Sequence, residues 1–131
     1  MNKTFYCCFT EATILPWYLN GIKKSMSHCF TIEQQEIGGH DCFMALEHLT
    51  NYIDTGMYLV PIEDIIDRLR MEKAYTIIKI NIEVNPFKSM NPFMPLDCVS
   101  LVKKSLGINR PLVFTPKQLY KHLLSIGGKE I

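Results

Sequence analysis

Three side chains in this sequence have an evident chemical use when brought together: a thiol at Cys98, an imidazole at His28 and a carboxylate at Glu47. Cysteine is a nucleophile only as its thiolate, so it needs a group that takes its proton and a setting that favours negative charge. The run Asp97-Cys98-Val99-Ser100-Leu101-Val102-Lys103-Lys104-Ser105-Leu106-Gly107 supplies the setting. Asp97 is a good helix N-cap, and Gly107 suits the left-handed residue that ends a helix. Lys103 and Lys104 fall near the negative end of the helix dipole. Cys98 then takes the first helical position, where the positive end of the dipole stabilises a thiolate. The plainer reading of Cys98 is a small buried residue in a first turn.

Of the four histidines, His28, His40, His48 and His122, only His28 opens a clear strand and shares a face with apolar neighbours. A catalytic base must be held in this rigid way. The competing role is a core histidine bonded to the backbone. His40 follows the Gly38-Gly39 turn, and His122 lies between Lys121 and leucines on a helix surface. A third polar group must orient the imidazole, and Glu47 and His48 end the next strand. Alternation sends these two to opposite faces and does not choose between them. Glu47 has the advantage in charge, because a carboxylate stabilises an imidazolium. Its ordinary role would be an exposed strand-end charge.

The elements that must position these groups follow from periodicity and punctuation. Residues 4–10 are a buried strand, rich in aromatics and cysteines. Residues 13–22, with Pro16 early and Gly21 late, suit a short helix. Ser27 to Glu33 and Cys42 to His48 are strands around a turn placed at Gln34 to Gly39, which makes a hairpin. Gly56 to Val60 is a brief strand. Pro61 opens a helix ending near Glu72, with Ile62, Ile65, Ile66 and Leu69 on its apolar side. Ala74 to Val84 is a strand with Ile78, Ile80 and Ile82 on one face. Asn85 to Leu96, with three prolines, is a loop feeding the Cys98 helix, whose stripe is Val99, Val102 and Leu106. Arg110 to Phe114 is a strand or extended link. Thr115-Pro116-Lys117-Gln118 is a capping box that starts a last helix, ending before Gly127.

The totals fit one α+β domain over residues 1–131, a small and mainly antiparallel sheet with helices packed on it. Hydrophobic residues make up 47% and charged residues 21% of 131 positions, so there is material for a core. A formal net charge of +1 without a basic run argues against a nucleic-acid partner. No apolar run approaches a membrane span and no signal peptide is expected. The five cysteines, Cys7, Cys8, Cys29, Cys42 and Cys98, include no CxxC pair and read as reduced thiols, most of them core hydrophobes. A metal site from Cys29, His40 and Cys42 is the alternative for three of these groups, but strand alternation accounts for two of them. No metal or organic cofactor is expected.

The order of parts resembles the circularly permuted papain-like hydrolases, the NlpC-like and lecithin retinol acyltransferase-like group, in a short phage-type form. Four stretches carry the likeness. Residues 5–33 resemble the opening strand, short helix and Ser27-His28-Cys29-Phe30-Thr31-Ile32 strand of that group. Leu46-Glu47, followed by Gly56-Met57-Tyr58-Leu59 and Pro61-Ile62-Glu63, resembles its third-residue strand and the helix after it. Asp97-Cys98-Val99-Ser100-Leu101-Val102-Lys103 resembles its Asn-Cys-Val-x-Phe-Val-Lys helix. Leu106-Gly107-Ile108 and Thr115-Pro116-Lys117-Gln118-Leu119-Tyr120 resemble the tail of short phage-encoded members.

The resemblance implies Cys98 as nucleophile, His28 as base and Glu47 as orienting group. It implies a peptidase or amidase-like hydrolase, or an acyltransferase, acting on an amide or ester. Cell-wall peptide amides come first as substrates and lipid esters second. Asp97 departs from the family's Asn and sets a carboxylate next to the thiol, which opposes thiolate formation unless cap hydrogen bonds absorb the charge. The alternative is therefore a catalytically inactive structural or binding protein of a phage virion that keeps the fold, with other virion proteins as partners. Either reading places the chain in the host cytoplasm or the virion.

Overall fold

A computed structural model describes residues 2–10, 28–49, 53–72, 75–84 and 97–131. The helix expected at 13–22 and the proline-rich loop at 85–96 lie outside these described residues. The elements run β1 (Asn2–Thr10), β2 (His28–Ile37), β3 (His40–His48), β4 (Ile53–Tyr58), α1 (Ile62–Glu72), β5 (Thr76–Glu83), α2 (Cys98–Leu106), α3 (Pro116–Ser125) and β6 (Lys129–Glu130). The six strands form one sheet in the order β4-β3-β2-β1-β5-β6, and every pairing is antiparallel. The α+β architecture with a mainly antiparallel sheet is thus present.

β1 is central because its sequence tolerates burial on both faces. Phe5, Cys7 and Phe9 point to one side, where they meet Ile78 and Ile80 of β5 and the apolar stripes of α2 and α3: Val99, Val102, Leu106, Leu119 and Leu123. Tyr6 and Cys8 point to the other side, with Phe30, Ile32, Phe43 and Ile77 under Ile65 and Ile66 of α1. Strand alternation divides these sets, as the pleat requires. The helices cover opposite faces, so a residue and its sequence neighbour on β2 look toward different helices.

The β2–β3 hairpin is longer than its sequence suggests. Polar residues Gln34 to Glu36 read as a turn, yet the ladder continues to the Ile37–His40 pair. Only Gly38 (φ 61) and Gly39 (φ 80) turn the chain, and two consecutive positive φ angles match the two-residue turn that antiparallel strands prefer. The outer rungs project past the core, so they need no apolar face. β4 begins at Ile53 rather than Gly56, because it follows the β3 register from His48–Ile53 to Phe43–Tyr58. Residues 111–112 form a turn and 110–114 no strand. β6 was not legible, because two residues carry no pattern. It pairs Ile78 with Glu130 and Lys79 with Lys129.

α2 has both of its expected ends. Asp97 is extended (φ −140, ψ 179) and its carboxylate accepts the Ser100 N–H at 2.7 Å. Gly107 is left-handed, and the N–H groups of Gly107 and Ile108 close on the carbonyls of Lys104 and Lys103, which is the Schellman arrangement. Lys103 is buried, and its ammonium donates to the carbonyls of Arg110 (3.1 Å) and Val113 (2.8 Å). It ties the turn after the helix back to the helix. Replacing Asp97 by Ala is expected to cost about 1 kcal/mol of stability, while Asn, itself a good cap, stays within a few tenths. Urea unfolding midpoints for the two variants check this. Among the described residues no helix is long and apolar enough to cross a membrane.

Candidate functional site

His28 is the first residue of β2 and pairs with Thr10 at the last rung of the β1–β2 ladder. Its ring therefore sits at the end of the sheet. The adjoining hairpin register decides what faces it. Thr31 lies opposite Leu46, so one further rung sets Glu47 on the face that carries Phe30 and His28. The contact is direct: His28 Nε2 lies 2.8 Å from Glu47 Oε1, with side-chain exposures of 22% and 28%. Glu47 is thus the partner and His48 is not, since His48 points to the other face. Nε2 is committed to the carboxylate, which leaves Nδ1 for the thiol.

Cys98 meets this pair at the N-terminus of α2. Its sulfur lies near enough to the His28 imidazole and to the thiol and backbone N–H of Cys29 for each of them to favour the thiolate. The Cys98 thiol is pulled down to about 4. The Cys29 thiol that donates to it has the largest part, burial opposes, and the imidazole adds a second hydrogen bond and its positive charge. The His28 ring is pushed up to about 9, first by its hydrogen bond with Cys98 and then by Glu47, against a smaller opposing effect of burial. Between these two values the pair rests as thiolate and imidazolium. The three residues singled out by type are therefore brought together, in the order sulfur, ring, carboxylate.

The residue that sequence reasoning missed is Cys29. It is fully buried and belongs to the cluster beneath α2, against which Cys98 packs. Its thiol is held strongly in the protonated form, by its hydrogen bond to Cys98 and by burial. The signal was available in the alternation of β2: if His28 shares a face with Phe30 and Ile32, Cys29 takes the opposite face, and that is the face α2 covers.

The metal alternative does not survive the register. Cys42 lies opposite Gln35, and His40 opposite Ile37. Cys29 is six residues along β2 from Gln35, about 20 Å at strand rise. One ion cannot bridge that distance.

A cleft of about 600 Å³ lies beside Glu47, between α1 and the outer half of the sheet. Phe30, Ile32, Ala45, Ile65 and Tyr75 give it apolar walls, while among its described lining residues Asp54, Asp64, Asp67 and Glu72 join Glu47 against Arg68. Asp54 is directly opposite Glu47 across the β3–β4 ladder. Like charges so placed repel, which makes the imidazolium the favourable partner for Glu47. Glu47→Gln keeps a hydrogen-bond acceptor and removes the charge. The apparent pKa of His28, followed by the ring proton shifts in NMR, is expected to fall by roughly one to three units.

The chain matches no family model, and neither a curated protein nor a solved structure is found to be similar to it.

Proposed function

We propose that this protein is a cysteine-dependent hydrolase or acyltransferase acting on an amide or ester, of the permuted papain-like type. The observation that carries the reading is the chain of contacts from Cys98 through His28 to Glu47. In this mechanism the Cys98 thiolate attacks the carbonyl carbon and forms a C–S bond. The carbonyl oxygen becomes an oxyanion, which the backbone N–H groups of Cys98 and Val99 at the start of α2 would receive. Collapse breaks the C–N or C–O bond. The leaving group takes its proton from His28 Nδ1. Water or an acceptor alcohol or amine then attacks the thioester, giving its proton to the now neutral His28, and the thiolate returns.

Glu47 orients the ring and stabilises its charged form throughout. The nearby cleft has room for the flanking part of a substrate. Among its described lining residues, five carboxylates against one guanidinium favour a neutral or cationic group over an anionic one. The inactive virion-protein reading drew on Asp97, but that carboxylate is engaged by the Ser100 N–H, so its charge is partly absorbed at the cap.

The test is direct trapping. With a p-nitrophenyl ester as probe, a burst of nitrophenol equal to the enzyme concentration is expected, followed by a slower steady rate. Intact-mass analysis of the quenched sample should place one acyl group on Cys98. Ester hydrolysis with no adduct on Cys98 would reject the mechanism.

A further inference from the structure

We propose that Cys29 is the resolving thiol of Cys98: a hydroperoxide oxidises Cys98, and Cys29 then closes an intramolecular disulfide with it. The argument starts from placement. Cys98 is partly exposed and Cys29 fully buried. Small oxidants can therefore reach the first and have no route to the second. Cys98 packs directly against the buried cluster that holds Cys29, across the α2–β2 contact, so no element has to travel for the two sulfurs to meet. The other thiols are worse placed. Cys7 faces the same helices two rungs further along, with its sulfur 3.9 Å from Thr31 Oγ1. Cys8 lies on the α1 face, and Cys42 sits far along the hairpin.

The chemistry balances with a peroxide as the only co-reactant. The Cys98 thiolate attacks one peroxide oxygen; an S–O bond forms and the O–O bond breaks. Cys98 is oxidised by two electrons and the peroxide is reduced. The departing hydroxide or alkoxide takes the proton of the His28 imidazolium. The Cys29 sulfur then attacks the sulfenic sulfur of Cys98. The S–S bond forms, the S–O bond breaks, and the departing hydroxide takes the Cys29 proton and leaves as water. A dithiol reductant reverses the product by exchange. The disulfide removes the nucleophile and stops its irreversible climb to sulfinic acid. The proposal shares the Cys98 thiolate with the hydrolase reading but not its acyl chemistry.

The experiment treats the full chain with a few equivalents of hydrogen peroxide and maps peptides without reduction. The expected result is the loss of two hydrogens, a Cys29–Cys98 linked peptide, and full recovery of both thiols with dithiothreitol. Cys29→Ala should instead accumulate a dimedone-reactive sulfenic acid at Cys98, lasting at least about tenfold longer than in the parent. Cys29→Ser serves if the Ala variant fails to fold, and Cys42→Ala should form the bridge as the parent does. Oxidation of parental Cys98 to sulfinic acid with Cys29 left free would overturn the proposal, as would a bridge from Cys98 to another cysteine. The ester-probe assay on the same samples separates the two readings. A bridge without hydrolysis rejects only the hydrolase, and hydrolysis without a bridge rejects only the resolving role.

Discussion

Cys98→Ala is expected to abolish turnover of the nitrophenyl ester, lowering kcat/KM by at least about 10⁴-fold. Among the described residues, no other thiol near the His28 ring can replace the lost nucleophile. The Cys29 thiol is buried and held protonated by its surroundings. Folding should be little affected, because Cys98 lies at the first turn and is not fully buried, and the Asp97 cap does not depend on its side chain. Steady-state rates for parent and variant, with circular dichroism as the control, check the claim. Retention of more than a tenth of the parental rate would remove Cys98 from the mechanism.

The second large effect concerns His28→Ala. With the thiol down at about 4 and the ring up at about 9, the reactive ion pair spans the range between. As pH rises through the lower value the thiolate forms, and as it rises through the upper value the ring loses the proton it must deliver. A bell-shaped kcat/KM profile with limbs near 4 and 9 follows.

Iodoacetamide reports on the thiolate alone. At pH 6 an ordinary thiol is roughly 0.3% ionised, whereas Cys98 is almost wholly so. Low pKa also weakens each thiolate, by about 100-fold over such a shift. The net advantage in rate over an exposed ordinary thiol is only about threefold. The sharper signature is therefore the slope. Labelling of Cys98 should be nearly flat from pH 5 to 8, while an ordinary cysteine gains tenfold per pH unit. In His28→Ala the thiol should rise only part of the way, because Cys29, the larger contributor, remains; a slope should then appear at the acid end of the range, and ester hydrolysis should fall by about 10² to 10⁴-fold through loss of the proton donor. A flat labelling profile that survives the substitution would show that Cys29 and the helix end ionise the sulfur without the ring.

Local rules explain what was legible. The bounds of α2 followed from Asp97 and Gly107, because a cap is a contact between near neighbours. The α3 start followed from the Thr115–Gln118 box, where both reciprocal hydrogen bonds form. β1 followed from its aromatic and small apolar content, β2 and β5 from alternation, and β3 from its place across the glycine turn. Register was not legible: choosing Glu47 over His48 required the hairpin turn to be placed to the residue, and the polar stretch before Gly38 concealed it. The face covered by α2 was not legible either, and with it went Cys29. Both depend on how distant segments meet, and no short window of sequence contains that information.

The central strand has a further consequence for a chain emerging from the ribosome. β1 pairs on one edge with β2 and on the other with β5, where Asn2 meets Glu83. That second edge stays open until β5 has been made, and closing so long a loop carries an entropic cost and slows folding. Seating of α2 follows later still, since its floor includes Ile78 and Ile80 of β5. Until then Cys98 is an ordinary thiol with an ordinary ionisation. The lowered pKa of the Cys98 thiol therefore arises only with tertiary assembly.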